Sequence, residues 1–122
     1  LCLVPMFPRK NDCSVVENKD ITETKVKALA KAADDCWEAI MRTDLKAFAA
    51  AYRASFEAQI SMFPAMIQPG VQDYINHYSA MDDVLAWKMP GAGGGGYLAL
   101  VIENANIFCQ SVAEAIPLTI RR

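Results

Sequence analysis

Glycine is concentrated in one short stretch of this 122-residue chain, and that stretch limits how the chain can fold. Five of the six glycines lie in KMPGAGGGGYLALV, residues 88–101. An ordered glycine cluster is unfavourable unless its backbone needs positive φ angles or a close approach, because glycine loses more freedom on folding than any other residue. Apolar runs at residues 84–87 and 97–102 flank the cluster, whereas a flexible linker would carry serine or lysine. The pattern therefore predicts a structural or ligand-facing loop between two buried segments.

The composition is that of an ordinary globular domain. Hydrophobic residues make up 53% of the chain and its formal net charge is −2, so it lacks the basic excess that suits nucleic acid or an anionic membrane. No apolar stretch reaches the roughly 18 residues of a membrane span, and the first residues do not resemble a signal peptide. We expect one domain over residues 1–122, with no nucleic-acid or membrane partner.

The cysteines and the single histidine do not form a metal-binding pattern. Cys2, Cys13, Cys36 and Cys109 are scattered without a CxxC pair, and His77 lies far from them in the sequence. A zinc site is therefore not expected. Free thiols on or near apolar helix faces are typical of a reducing compartment, so the cytoplasm is the expected location.

Two long helices are predicted in the first half of the chain. A capping-box pattern at Asp20 and Glu23 begins the first, whose apolar residues recur at three- and four-residue steps up to position 41. Thr43 or Asp44 caps the second, and Pro64 ends it. The short connection between them predicts an antiparallel helical hairpin.

The rest of the chain is predicted to alternate between short helices and strands, because the period of its apolar residues changes. Pro69 stands in the first turn of a third helix, and a proline at position 117 suits the start of an edge strand. The strands are placed at residues 1–4, 84–89, 97–102 and 117–120, with 13–16 as a continuation of the sheet, and the last helix at 104–115. These elements predict an α+β domain with a small, mainly antiparallel sheet and helices packed on one face.

As a bare pattern, residues 91–96 satisfy G-x-G-x-x-G, the fingerprint of dinucleotide-binding loops. That fingerprint needs a helix directly after the loop and an acidic residue about 20 positions further on. The apolar run Tyr97–Ile102 is better suited to a buried strand, and Glu114 falls in a predicted helix. The pattern also lacks the Lys-Ser or Lys-Thr ending of a Walker loop. The glycine pattern is therefore only weak support for dinucleotide binding, and it excludes an ordinary P-loop.

The stretch from Lys88 to Leu98, KMPGAGGGGYL, resembles the third conserved motif of the GHMP kinases, the galactokinase, homoserine kinase, mevalonate kinase and phosphomevalonate kinase superfamily. In that motif a lysine, an apolar residue and usually a serine precede the glycines. The likeness covers nearly the whole chain: Phe63-Pro64 and Pro69-Gly70 are similar to the sugar-kinase branch, and residues 1–9 match a strand near the start of its C-terminal half. The resemblance implies a ferredoxin-like C-terminal domain of a sugar kinase.

The resemblance also implies where phosphate would bind. In the family this loop lies beside the cleft between two domains, where its backbone N–H groups and lack of side chains suit close approach to phosphate. Residue by residue, that role falls on Gly91, Ala92, Gly93, Gly94 and Gly95.

One departure from the motif and two neighbouring cations also bear on this site. Pro90 stands where the family usually has serine, which removes a hydroxyl and an N–H. Lys88 and Arg9 are candidate cations of the cleft, although strand alternation can equally turn Lys88 toward solvent. No catalytic residue and no metal ligand is assigned within the chain.

The implied activity is ATP-dependent phosphorylation of a sugar hydroxyl, with ATP and Mg²⁺ bound by the full-length enzyme and neither held tightly by this chain. The family's main nucleotide loop, a Pro-x-x-x-Gly-Leu-x-Ser-Ser pattern, belongs to an N-terminal domain and does not occur in these residues. The isolated chain is therefore expected to be inactive, and its uncovered inter-domain face is expected to favour self-association. The alternatives are a mevalonate-type acceptor and a free-standing, non-catalytic α+β domain for binding or assembly.

Overall fold

The computed structural model describes residues 1–10, 14 and 16–119. Four strands and four α-helices lie within that part of the chain, and none of these helices is long and apolar enough to cross a membrane. A short 3-10 turn, Pro64–Met66, follows the second helix. The strands are β1 Cys2–Pro5, β2 Val84–Lys88, β3 Tyr97–Ile102 and β4 Ile116–Pro117, and the helices are α1 Glu23–Met41, α2 Leu45–Met62, α3 Val71–Ser79 and α4 Ala105–Ser111.

The four strands form one antiparallel sheet in the order β2-β3-β1-β4. The predicted class, α+β with a small antiparallel sheet, is confirmed. Strand β3 is central, since its Leu100 lies opposite both Cys2 of β1 and Trp87 of β2. Along the chain the elements follow the β-α-β-β-α-β succession of ferredoxin-like domains, with the α1–α2 hairpin added to the first crossover.

Both faces of β3 are buried, because its residues 98–102 are apolar without interruption. Leu100 on one face belongs to the larger apolar cluster, to which α3 and α4 contribute, the latter through Phe108. Val101 on the other face belongs to a smaller cluster with Ala49 of α2. Helices α3 and α4 pack on one face as predicted, whereas α2 contributes to both clusters, through Phe56 in the larger and Ala49 in the smaller.

Side-chain caps set where the two long helices begin. Thr22 caps α1 by accepting a hydrogen bond from the Lys25 N–H at 3.3 Å. The capping box predicted at Asp20 and Glu23 is therefore wrong, and Asp20 instead forms an ion pair with the Lys25 ammonium. Asp44, one of the two predicted candidates, caps α2 by accepting the backbone N–H three residues later at 3.0 Å.

Other boundaries also differ from the predictions. Helix α3 begins at Val71 after Gly70, whose φ of 93° is not helical, so Pro69 lies before the helix instead of in its first turn. Helix α4 ends at Ser111, earlier than predicted, and β4 is only two residues long. Pro117 cannot donate to the ladder, which limits this edge strand. The strand predicted at residues 13–16 and the last residue of that predicted at 117–120 fall largely outside the described residues.

The connection between α1 and α2 is a tight turn with one strained residue. After the cap residue Arg42, the next two N–H groups donate to carbonyls three and five residues earlier, at 3.0 and 2.9 Å. This is the Schellman arrangement, which places a left-handed residue directly after the cap. Thr43 occupies that position with a φ of 55°, where glycine is favoured and a β-branched side chain is strained.

We expect Thr43→Gly to raise the free energy of unfolding by about 1 kcal/mol, because it removes the Cβ from a left-handed conformation. Thr43→Ala is the matched control, since it shortens the side chain but keeps the Cβ. It should stabilise the fold clearly less. Urea denaturation followed by circular dichroism measures both variants, and equal effects would show that the φ of residue 43 does not limit stability.

Candidate functional site

The candidate site is the loop of residues 89–96, which joins β2 to β3 and carries five glycines. Every one of these glycines has a positive φ, as their clustering predicts. The values are 73° at Gly91, 72° at Gly93, 78° at Gly94, 143° at Gly95 and 84° at Gly96. Residues with a Cβ rarely adopt such angles, so the conformation of the loop depends on glycine.

The second half of the loop is attached to two other parts of the chain. The N–H of Gly96 donates to the Phe7 carbonyl at 2.7 Å, and the Gly96 carbonyl accepts the N–H of Met6 at 2.8 Å. The N–H of Gly94 donates to the Met66 carbonyl, in the 3-10 turn, at 3.0 Å. The bonds of Gly96 continue the pairing of β1 with β3, so the loop is held by backbone contacts on both sides.

Two of the buried glycines leave no room for a side chain. A Cβ at Gly95 would lie 2.9 Å from the Phe7 carbonyl oxygen and 3.0 Å from backbone atoms of Arg9. A Cβ at Gly93 would lie 2.9 Å from the side chain of Met66. These separations are shorter than real Cβ contacts, so the close approach of the backbone explains the glycines at both positions.

The first half of the loop faces solvent. Pro90, Gly91 and Ala92 are exposed, and the N–H groups of Gly91 and Ala92 have no hydrogen-bond partner among the described residues. Backbone N–H groups available in this way can bind an anion such as a phosphate oxygen. The five residues predicted to contact phosphate thus divide into two exposed ones and three buried ones, Gly93 to Gly95.

Positive charge near the loop comes from the segment after β1. Arg9 is exposed, and its backbone packs against Gly95. A hollow of about 20 Å³ on the same side of the loop is lined by Phe7, Lys10, Gln68, Pro69 and Gly94. A space of this size holds about one water molecule or one oxygen atom of a ligand. Arg9 therefore lies beside the loop, and Lys10 lies near it as a second cation.

Lys88, the other predicted cation, is directed toward α2. Its ammonium donates to the Ser55 hydroxyl at 2.9 Å and lies 5.8 Å from the centroid of the Tyr52 ring. Within the described part of the chain no carboxylate forms an ion pair with it. Burial lowers the pKa of Lys88 below its ordinary value. Strand alternation thus places this side chain on the face of the sheet that α2 covers.

A second polar hollow, of about 250 Å³, lies between α3 and the segment after α4. There the Tyr78 hydroxyl donates to Glu114 at 2.9 Å, and the exposed His77 packs its ring edge-on against Tyr78. Two hydrogen bonds hold the pKa of Glu114 below its usual value. The larger effect comes from its own backbone and the next from Tyr78. Burial, above all, raises the pKa of Tyr78. The sequence alone does not reveal this pair, because 36 residues separate its members and no motif links them.

The exposed half of the loop offers two backbone donors, at Gly91 and Ala92, and the segment that packs against its buried half carries Arg9 and Lys10. Within residues 1–10, 14 and 16–119, no group of three His, Cys, Asp or Glu side chains is placed to hold a metal ion. No family model, no curated protein and no solved structure matches this chain.

Gly95→Ala should destabilise the fold more than Gly91→Ala. Both substitutions place a Cβ at a positive φ, which costs about 1–3 kcal/mol. At Gly95 the Cβ also meets the backbone of residues 7–9, which should add about 1–3 kcal/mol, whereas at Gly91 it meets no heavy atom within 4 Å. Thermal denaturation of both variants measures the difference. Equal losses would contradict the close packing of the loop on residues 7–9.

Lys88→Met should leave a stable fold, because it removes a partly buried charge and because the Ser55 hydroxyl keeps its 2.7 Å bond to the Tyr52 carbonyl. The pKa of Lys88 is lower in the folded chain than its ordinary value of 10.5, so the unfolded chain binds more protons in the interval between the two values. The stability of the natural chain relative to Lys88→Met should therefore rise as the pH increases toward 10.5. Urea denaturation of both proteins from neutral pH upward measures this difference. A difference that stays constant with pH would be inconsistent with the lowered pKa.

Proposed function

We propose that this chain is the C-terminal half of an ATP-dependent small-molecule kinase that phosphorylates a sugar hydroxyl. Two observations support the proposal together: the likeness of residues 88–98 to the third GHMP-kinase motif, and the geometry of the loop that those residues form. In this proposal the loop of residues 89–96 lines a cleft between this domain and an N-terminal nucleotide-binding domain.

The exposed tip of the loop carries the proposal. Its two N–H groups, at Gly91 and Ala92, are accessible and have no partner among the described residues. Hydrogen bonds to Phe7 and Met66 hold the buried half of the loop in place, so the tip is attached to an ordered segment. Phosphoryl transfer depends on positioning and on charge stabilisation, and available backbone donors on an anchored loop contribute to both.

The segment that packs against the buried half of the loop carries positive charge. Arg9 and Lys10 place two cations on the segment that packs against the loop, and hydrogen bonds from cations to phosphate are stronger than neutral ones. ATP would supply the phosphoryl group, and this chain would hold its oxygens through Gly91 and Ala92. Pro90 provides no N–H, so this tip has one donor fewer than the family motif. In this proposal ATP and Mg²⁺ bind to the full-length enzyme, and neither is held tightly by this chain.

Lys88 has a supporting role in this proposal. Its ammonium is held by Ser55 of α2, directly before the loop begins. This bond ties the end of β2 to the helical layer and thereby fixes one end of the loop. We therefore assign the cleft cations to Arg9 and Lys10, and phosphorylation by the isolated chain is not expected.

The test begins with the coding sequence upstream of Leu1. An open frame of domain length that encodes a Pro-x-x-x-Gly-Leu-x-Ser-Ser loop provides the longer protein, which is then assayed for ADP release with a panel of sugars. In that protein Ala92→Asp should lower kcat/KM at least about tenfold more than Ala92→Asn, because only the carboxylate repels phosphate at the tip. Similar losses in the two isosteric variants would show that the tip does not contact phosphate. A start codon directly before Leu1 would overturn the kinase proposal.

A free-standing, non-catalytic domain for binding or assembly is the second candidate. Large apolar side chains are exposed near the end of α1, with Trp37 63%, Ile40 53% and Met41 67% accessible. A groove of about 370 Å³ next to them is lined by Leu1, Ala39, Ile40, Thr43, Asp44, Leu45 and Phe48. Exposed apolar surface is typical of interaction sites. Sedimentation velocity of the 122-residue chain tests this candidate: concentration-dependent self-association that Ile40→Glu abolishes favours assembly through this groove. Self-association that persists in Ile40→Glu uses another face, and a monomer at all concentrations argues against assembly.

A further inference from the structure

Two cysteine side chains meet in the core although 107 residues separate them in the sequence. Cys2 lies on β1 and Cys109 on α4, and their sulfur atoms are 3.4 Å apart. Both are free thiols. The contact forms because α4 crosses back over the sheet and packs beside the central strands, so it belongs to the tertiary fold and not to a sequence motif.

The two thiols differ in their access to solvent. Cys2 is completely buried within the larger apolar cluster, whereas Cys109 is partly exposed on the seven-residue helix α4. A small reagent can therefore reach Cys109 first and Cys2 only through it. This is the usual asymmetry between an attacking cysteine and a resolving one.

We propose that Cys2 and Cys109 form a reversible disulfide when the chain meets a low-molecular-weight disulfide such as oxidised glutathione. A disulfide needs its sulfurs at about 2.05 Å, so the two atoms must approach by a little over 1 Å. Cys109 lies on a short helix near the C-terminal end of the described chain, which can make that movement more easily than the central strand β1. This inference does not depend on the kinase proposal.

The chemistry is two successive thiol–disulfide exchanges. The Cys109 thiolate attacks one sulfur of the oxidant, forms a mixed disulfide and releases one thiol. The Cys2 thiolate then attacks the Cys109 sulfur and releases the second thiol, so two protein thiols are oxidised and one disulfide is reduced. In the reduced chain burial, and then the hydrogen bond with Cys109, raise the pKa of Cys2 to about 11, so an alkaline pH favours its thiolate.

The product would tie β1 to α4 across nearly the whole chain. Closing a loop of this length restricts the unfolded chain strongly, which stabilises the folded state unless the bridge is strained. Strand β1 continues into the segment that holds the glycine loop, through Met6 and Phe7. Oxidation would therefore restrain β1, the strand that leads into the segment in contact with the glycine loop.

The test uses Cys13→Ser/Cys36→Ser, which leaves only the proposed pair. This variant is incubated with oxidised glutathione at pH 8.5 and followed by intact mass and by near-ultraviolet circular dichroism. We expect the folded protein to lose both free thiols and two hydrogen atoms without retaining glutathione. Its Tm should rise by on the order of 5–10 °C, and dithiothreitol should reverse both changes.

Two further variants in that background separate the steps. With Cys2→Ala, Cys109 should stop at the mixed disulfide and retain one glutathione, whereas with Cys109→Ser the buried Cys2 should stay reduced. The proposal is overturned if the pair-only protein stops at a mixed disulfide while folded, if both thiols persist, if the bridge forms only in urea, or if it lowers the Tm.

Discussion

Burial of β3 on both faces is the constraint on which the rest of the structure depends. Residues 98–102 are all apolar, and successive side chains of a strand point to opposite faces, so both faces must be covered. Leu100 and its neighbours on one face meet α3 and α4, and Val101 on the other meets α2. Each buried apolar side chain contributes roughly 1.5–3 kcal/mol, which makes this strand the centre of the favourable free energy. The two long edges of β3 then pair with β1 and β2.

The glycine loop takes its order from the same strand. Gly96 precedes β3 directly and continues its pairing with the chain after β1, while Gly93 and Gly95 lie against Met66 and residues 7–9. These contacts use the buried half of the loop and leave Gly91 and Ala92 exposed with free N–H groups in the described structure. An ordered base with an accessible tip is the physical basis of the proposal that this loop binds phosphate.

Three features of the structure could not be predicted from the sequence, and two of them depend on contacts between distant residues. Strand alternation left two directions open for Lys88, and the Ser55 hydroxyl of α2 decides between them. Asp20 and Thr22 are both residue types that cap helices, and in the structure Thr22 is the cap while Asp20 pairs with the Lys25 ammonium. The Cys2–Cys109 contact has no sequence signature at all.

The sequence by itself determined the class, the helical hairpin, the span of β3 and the positive φ angles of the glycines. These properties follow from local rules: apolar periodicity, capping residues, and the steric freedom of a residue without a Cβ. Only the tertiary structure decided which glycines are buried, which cations lie beside them and which thiols meet. Those outcomes depend on how α2, α3 and α4 divide the two faces of β3, and chain neighbours carry no information about such long-range packing.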